Sequence, residues 1–173
     1  CQQRPRPSIC GWRFKKKSPQ AEPEDHALGR SRGGWGSKIH LLTDGGGTPL
    51  AVRVTPGQQH EATMARELSS TFGLPGISCK PAALAGDKGY YGKSLVHSLC
   101  ARGIKPIIPN HMKKEQAQTF PRELYRRRNV VERTIGMLKQ CRRIATRYEK
   151  LAVNYLAMVK LGIIALLLRK IDI

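Results

Sequence analysis

Polar and apolar positions alternate along two adjoining stretches, Ser37-Lys38-Ile39-His40-Leu41-Leu42-Thr43 and Pro49-Leu50-Ala51-Val52-Arg53-Val54-Thr55. That period is the period of a strand. Asp44-Gly45-Gly46-Gly47 between them is a turn, so the pair predicts a hairpin, which Pro56-Gly57 ends. Met64, Ala65, Leu68 and Phe72 then recur at helical spacing and predict a helix over 61–72. Ala82-Ala83-Leu84-Ala85-Gly86 is a short apolar run, read as a buried strand whose carboxyl end presents Asp87. A helix over 94–101 is stopped by Gly103. A strand over 104–109 follows, and its two prolines favour an edge or a strand end. Residues 110–121 are polar and loop-like, and two long helices, 123–148 and 151–170, close the chain. This order predicts an α/β protein with helices packed on one sheet. Residues 1–34, with Gly29 to Gly34 as a flexible basic loop, read as an irregular N-terminal segment ahead of a single domain over 35–173.

Charge narrows the partner. The chain has 173 residues, 40% of them hydrophobic, with 31 Lys and Arg against 12 Asp and Glu, a net charge of +19. A length and apolar content of this kind can bury one core. The charge points to a polyanion, nucleic acid by default, and excludes an acidic solvating domain. Five cysteines at wide spacing, without a Cys-x-x-Cys pair, argue against a disulfide framework or a closed zinc site and predict reduced thiols in a cytosolic protein. No N-terminal stretch reads as a signal peptide. The apolar segment 151–168 is interrupted by Asn154 and Lys160, so it predicts a buried helix rather than a membrane span.

Along the first of the closing helices, Tyr125, Arg128, Glu132, Lys139 and Arg143 share one narrow sector at about 100° per residue. Val130, Met137, Leu138, Cys141, Ala145 and Tyr148 fall opposite and predict the core face. A carboxylate among cations can hold a divalent metal, and the cations can hold phosphates. The plainer reading of Arg128 and Glu132 is a surface pair four residues apart. Asp87, beyond the end of a buried strand, stands where α/β sheets place ligand sites, or else it caps the next helix. Asp87 with Glu132 as a metal pair is the sharper hypothesis. Arg142-Arg143 through Arg147 and Lys150 suits contact with a DNA backbone, as does the loop bearing Arg30 and Arg32, whose alternative is solvated surface. His60, before the first helix, caps or packs, with a catalytic role as the alternative, and Trp12 and Trp35 pack or stack on bases.

The spacing Tyr125-x2-Arg128-x3-Glu132-x6-Lys139 resembles the catalytic helix of DDE transposases from bacterial insertion sequences, in the group around insertion sequence five. His26-Ala27-Leu28-Gly29-Arg30-Ser31-Arg32-Gly33-Gly34, Thr55-Pro56-Gly57-Gln58-Gln59-His60-Glu61, Gly86-Asp87-Lys88-Gly89-Tyr90 and residues 142–151 match in family order. The resemblance implies a ribonuclease-H-like fold, a mixed sheet flanked by helices. In that fold three acids hold two divalent cations, Mg2+ or Mn2+, for in-line attack on a DNA phosphodiester. It places Asp87 and Glu132 as the second and third acids. Arg128 and Lys139 fall at phosphate contacts, and Tyr125 stacks or packs beneath the site. The family's first acid, on the first central strand, has no counterpart here: Asp25 lies in a proline-containing segment and Asp44 in a hairpin turn. The expectation is therefore a catalytic domain lacking that strand, with unpaired sheet edges beside the gap. The function implied is DNA transposition, on double-stranded transposon ends and target, by a homo-oligomer in the bacterial cytoplasm at the nucleoid. The alternative is a catalytically dead, nucleic-acid-binding remnant, and behind it a basic RNA-binding protein.

Overall fold

The computed structural model describes residues 26–31, 34–70, 81–109 and 120–171. Expectations for residues 1–25 (Trp12 and Asp25 among them), for Arg32, for 71–80 and for the polar loop 110–119 lie outside the described residues. The hairpin forms as the alternation predicts. β2 (Gly34–Thr43) pairs antiparallel with β3 (Pro49–Pro56), from Ser37 opposite Pro56 to Thr43 opposite Pro49. In the turn, Asp44 Oδ1 accepts the amides of Gly46 at 2.9 Å and Thr48 at 2.7 Å. Slight burial raises the Asp44 pKa, but these hydrogen bonds outweigh it and hold the carboxyl below its ordinary range.

The glycine–arginine stretch departs from expectation. Gly29–Ser31 is a strand, β1, that folds back on the start of β2 and pairs Gly29 with Gly36 and Ser31 with Gly34. Three residues are too few to show a period, and Gly34 enters β2 at φ +107°, a conformation that glycine adopts freely.

α1 (Glu61–Ser70) buries Met64, Ala65 and Leu68. β4 (Ala83–Ala85) leads through a 3-10 turn, Lys88–Tyr90, to α2 (Lys93–Ala101) and then β5 (Lys105–Ile107). β4 and β5 pair in parallel with α2 as the crossover, its Leu95 and Leu99 buried.

The long helix expected over 123–148 is three: α3 (Arg122–Arg126), α4 (Asn129–Lys139) and α5 (Arg142–Ala145). The first joint is a tightened turn, in which the amides of Arg128, Val130 and Val131 each bond a carbonyl three residues back. At the second, Cys141 leaves the helix at φ −75°, ψ 113°. Reading one period through that break assigns the core face only in part. Leu138 is buried and Val130 half-buried as expected, but Met137, Cys141, Ala145 and Tyr148 are exposed, and the buried Thr134 and the partly buried Val131 and Ile135 take their place. Cys141 and Cys100 are unbridged and exposed.

α6 (Ala152–Ile171) is the second correction. It buries Ala152, Tyr155 and Val159 on one side, and Val153, Leu161, Ile164 and Leu168 on the other are exposed. By length and composition it could cross a membrane, and 17% of its apolar window is buried. Its packed side is well fixed all the same. Tyr155 Oη donates to the carbonyl of Ile144 at 2.7 Å, and Val159 is fully enclosed.

In place of one sheet, the described residues form two, β1-β2-β3 and β4-β5. A core lies on each side. Leu41, Val52, Leu138, Ile144, Tyr155 and Val159 form one; Ala65, Leu95, Leu99, Ile104 and Ile108 form the other. Leu42, Leu50 and Leu84, from both sheets, pack on the second.

Candidate active site

Asp87 follows β4 and opens the 3-10 turn, yet its side chain makes no capping bond there. It reaches instead to α3 and α4. Arg128 lies between the two helices. One of its terminal nitrogens stands 3.1 Å from Asp87 Oδ1, and the other 2.7 Å from Glu132 Oε1. The surface pair four residues apart is thus present, and a third group from a distant part of the chain joins it. One guanidinium gathers both acids through its two terminal nitrogens. The acids are more than half exposed, at 55% and 57%, while Arg128 is 20% exposed. Burial depresses the Arg128 pKa, but Glu132 and Asp87 more than offset it, so the side chain stays charged with its pKa raised.

Tyr125 completes the group from below. Its ring lies 5.3 Å from the Arg128 guanidinium carbon, its hydroxyl 3.5 Å from Asp87 Oδ1, and its edge packs on Phe120. The geometry is that of a support under the arginine.

The sequence reading missed a buried network beside the acid-bearing turn. His40, on β2, is 1% exposed. Its Nδ1 lies 2.9 Å from Tyr90 Oη and its Nε2 2.8 Å from Thr55 Oγ1. Tyr90 ends the turn that Asp87 begins, and its amide bonds the Asp87 carbonyl at 2.9 Å. Burial, with Glu61 and Asp87 nearby, pushes the Tyr90 hydroxyl up to about 12, so it remains protonated. Glu61, paired with Lys38 at 2.9 Å, sits against Gly89, where a Cβ would come within 2.2 Å of Glu61 Oε2. The one available signal was a histidine at an inward position of an alternating strand.

The other predicted residues are spread along the surface. Arg30, Lys139, Arg142 and Arg143 are exposed. Arg143 pairs with Glu149 at 2.8 Å. Arg147, expected at a DNA backbone, bonds Ser37 Oγ and the carbonyls of Ala27, Glu149 and Lys150, tying the N-terminal strands to the start of α6. His60 is exposed and its Nδ1 accepts the Ala62 amide at 3.4 Å, a weak cap.

Carboxylate oxygens suit hard divalent cations, so Asp87 and Glu132 are the candidates to hold one, and here an oxygen of each is paired with Arg128. Among the described residues no group of three or more His, Cys, Asp or Glu is placed to hold a metal.

The Transposase DDE domain family matches residues 11–168, and the chain belongs to that family. A transposase of insertion sequence element IS402 from Burkholderia cepacia is 33% identical over 132 residues, 73% of this chain and 60% of the relative. A transposase of insertion sequence element IS6501 from Brucella ovis is 29% identical over 133 residues, 77% of this chain and 98% of the relative. The chain therefore spans less than two thirds of the IS402 relative and nearly all of the IS6501 relative. No solved structure matches.

Proposed function

We propose that this chain is the catalytic part of an insertion-sequence transposase, with a ribonuclease-H-like architecture whose central strand lies outside the described residues. The observation that carries this reading is the meeting of Asp87 and Glu132 on the Arg128 guanidinium. Asp87 and Glu132 would hold divalent Mg2+ or Mn2+, with a third carboxylate from outside the described residues. Bound there, such ions activate an attacking oxygen and stabilise the leaving oxygen of a DNA phosphodiester. Arg128 keeps the two acids together, and Tyr125 supports it. Lys139, Arg142, Arg143, Arg30 and Arg32 contact backbone phosphates of double-stranded DNA, supplying affinity without sequence choice. The protein acts as a homo-oligomer in the cytoplasm, at the nucleoid.

A second reading, a DNA-binding remnant without catalysis, is favoured by the lack of a three-acid group among the described residues. Two measurements on one preparation separate these. Mn2+ binding followed by electron paramagnetic resonance is expected to weaken at least tenfold in both Asp87→Asn and Glu132→Gln, with DNA retention unchanged. If neither substitution alters Mn2+ affinity, the metal reading is lost. Nicking of insertion-sequence-end DNA in Mg2+ supports the enzyme, and retention without nicking supports the remnant.

A further inference from the structure

Asp87 and Glu132 are carried very differently. Glu132 stands on an eleven-residue helix, α4. Asp87 opens a three-residue 3-10 turn, Lys88–Tyr90, and its side chain makes no capping bond there. So short a 3-10 segment has little stability of its own. Its place is set by what it is tied to.

Two ties reach it from one face of the β2–β3 hairpin. Lys38 lies opposite Thr55 in the pairing, and His40 is two residues further along β2, so the three side chains share that face. Lys38 Nζ donates to Glu61 Oε1 at 2.9 Å and to the Gln59 carbonyl at 3.2 Å, and Glu61 fills the space over Gly89, in the middle of the turn. His40 holds the end of the turn, with Nδ1 2.9 Å from Tyr90 Oη and Nε2 2.8 Å from Thr55 Oγ1. One arrangement gives every hydrogen along this chain an acceptor. Tyr90 Oη donates to Nδ1, Nε2–H donates to Thr55 Oγ1, and Thr55 Oγ1 donates to the Pro56 carbonyl, 3.4 Å away. Tyr90 passes the constraint to the acid, because its amide bonds the Asp87 carbonyl at 2.9 Å. An apolar side chain would fill the His40 position without burying a polar ring. It would not supply direction.

We propose that His40, with Thr55 behind it, is a positioning residue for the metal site: through the Tyr90 hydroxyl it fixes the turn that holds the Asp87 carboxylate where it can share a cation with Glu132. The inference rests on the proposed metal role of Asp87 and adds the groups that orient it. His40 is 1% exposed, so it acts through Tyr90 and not on an ion or DNA directly.

The test follows Mn2+ binding to the full chain by electron paramagnetic resonance, with amide hydrogen exchange and urea unfolding on the same samples. Tyr90→Phe keeps the ring and removes only the hydroxyl. It is expected to weaken Mn2+ binding about tenfold, the lower end of what loss of such an orienting group costs a metal site. Exchange in peptides spanning 87–91 is expected to speed up about tenfold, with β2 and β3 unchanged. His40→Leu should do the same. His40→Asn is the rescue: its side-chain oxygen can stand where Nδ1 stood and accept the Tyr90 hydrogen, so Mn2+ affinity stays near that of the parent chain. A histidine that only fills space predicts the reverse order, with His40→Leu the better of the two, and that order overturns the proposal. If His40→Leu fails to fold, Tyr90→Phe and His40→Asn decide the matter. Unchanged Mn2+ affinity in Tyr90→Phe, beside weakened affinity in Asp87→Asn, overturns the positioning role and leaves the metal reading standing. Asp87→Asn without effect on Mn2+ overturns the metal reading, and the positioning role with it.

Discussion

His40 has both ring nitrogens in use, and its burial sets a pH dependence. Desolvation lowers its pKa below 6.5; Glu61 opposes this and Lys38 adds to it. With a lowered native pKa, the folded state binds fewer protons than the unfolded chain just below pH 6.5. The His40 contribution is thus complete above the unfolded value and is lost as pH falls through the folded one. Urea unfolding at pH 7.5 and pH 5 is expected to show stability falling on acidification, by at most about 1.4 kcal/mol per pH unit from this group. His40→Gln should flatten the slope. An unchanged slope would remove His40 as the cause. At this scale much of the site was legible. Asp87, Glu132, Arg128 and Tyr125 were singled out by spacing and by position after an apolar run, and all four come together. His40, Thr55 and Tyr90 were not, because a hydrogen-bond network between β2, β3 and a turn leaves no periodic trace.

At the scale of elements, two contacts hold the helices to the sheets. Thr134 Oγ1 lies 3.1 Å from the carbonyl of Gly47, in the hairpin turn, and 3.0 Å from that of Val130. Gly47 is buried at φ +83°. Thr134→Val leaves that buried carbonyl without its donor and is expected to cost about 1–3 kcal/mol in chemical denaturation. Gly162, on α6, brings α6 against α4 and α5; a Cβ there would stand 2.5 Å from Ile144 Cδ1 and 3.3 Å from Leu138 Cδ2. Both neighbours are buried to within 2%, so they have little room to move. Gly162→Val is expected to destabilise by about 1–3 kcal/mol through overpacking, read as a lowered midpoint at unchanged denaturant slope. The elements themselves were well marked wherever a period ran long enough. The failures were β1, too short for a period, and the breaks after Arg126 and Lys139, where helix-forming residues continue across a joint.

Over the whole molecule, the charge of +19 is carried in part by exposed cations, Arg30, Lys139 and Arg142 among them. Contact with about six phosphates would lower DNA affinity roughly a thousandfold between 50 and 200 mM salt. Fluorescence anisotropy across that range is expected to show this steep dependence. Lys139→Ala and Arg142→Ala should each reduce the log–log slope by about 1, equally for all duplex sequences. A slope near zero would exclude phosphate neutralisation as the source of affinity.

Local patterning by itself determined the hairpin, the helices of the parallel unit, the helical C-terminal region and the family signature, because each depends on residues near one another in the chain. Tertiary structure decided which acids share an arginine, which face of α4 is buried, that α6 packs on one side, and that the strands divide into two sheets. Those outcomes come from contacts between distant segments, whose free energy depends on packing and edge pairing in three dimensions rather than on any sequence period.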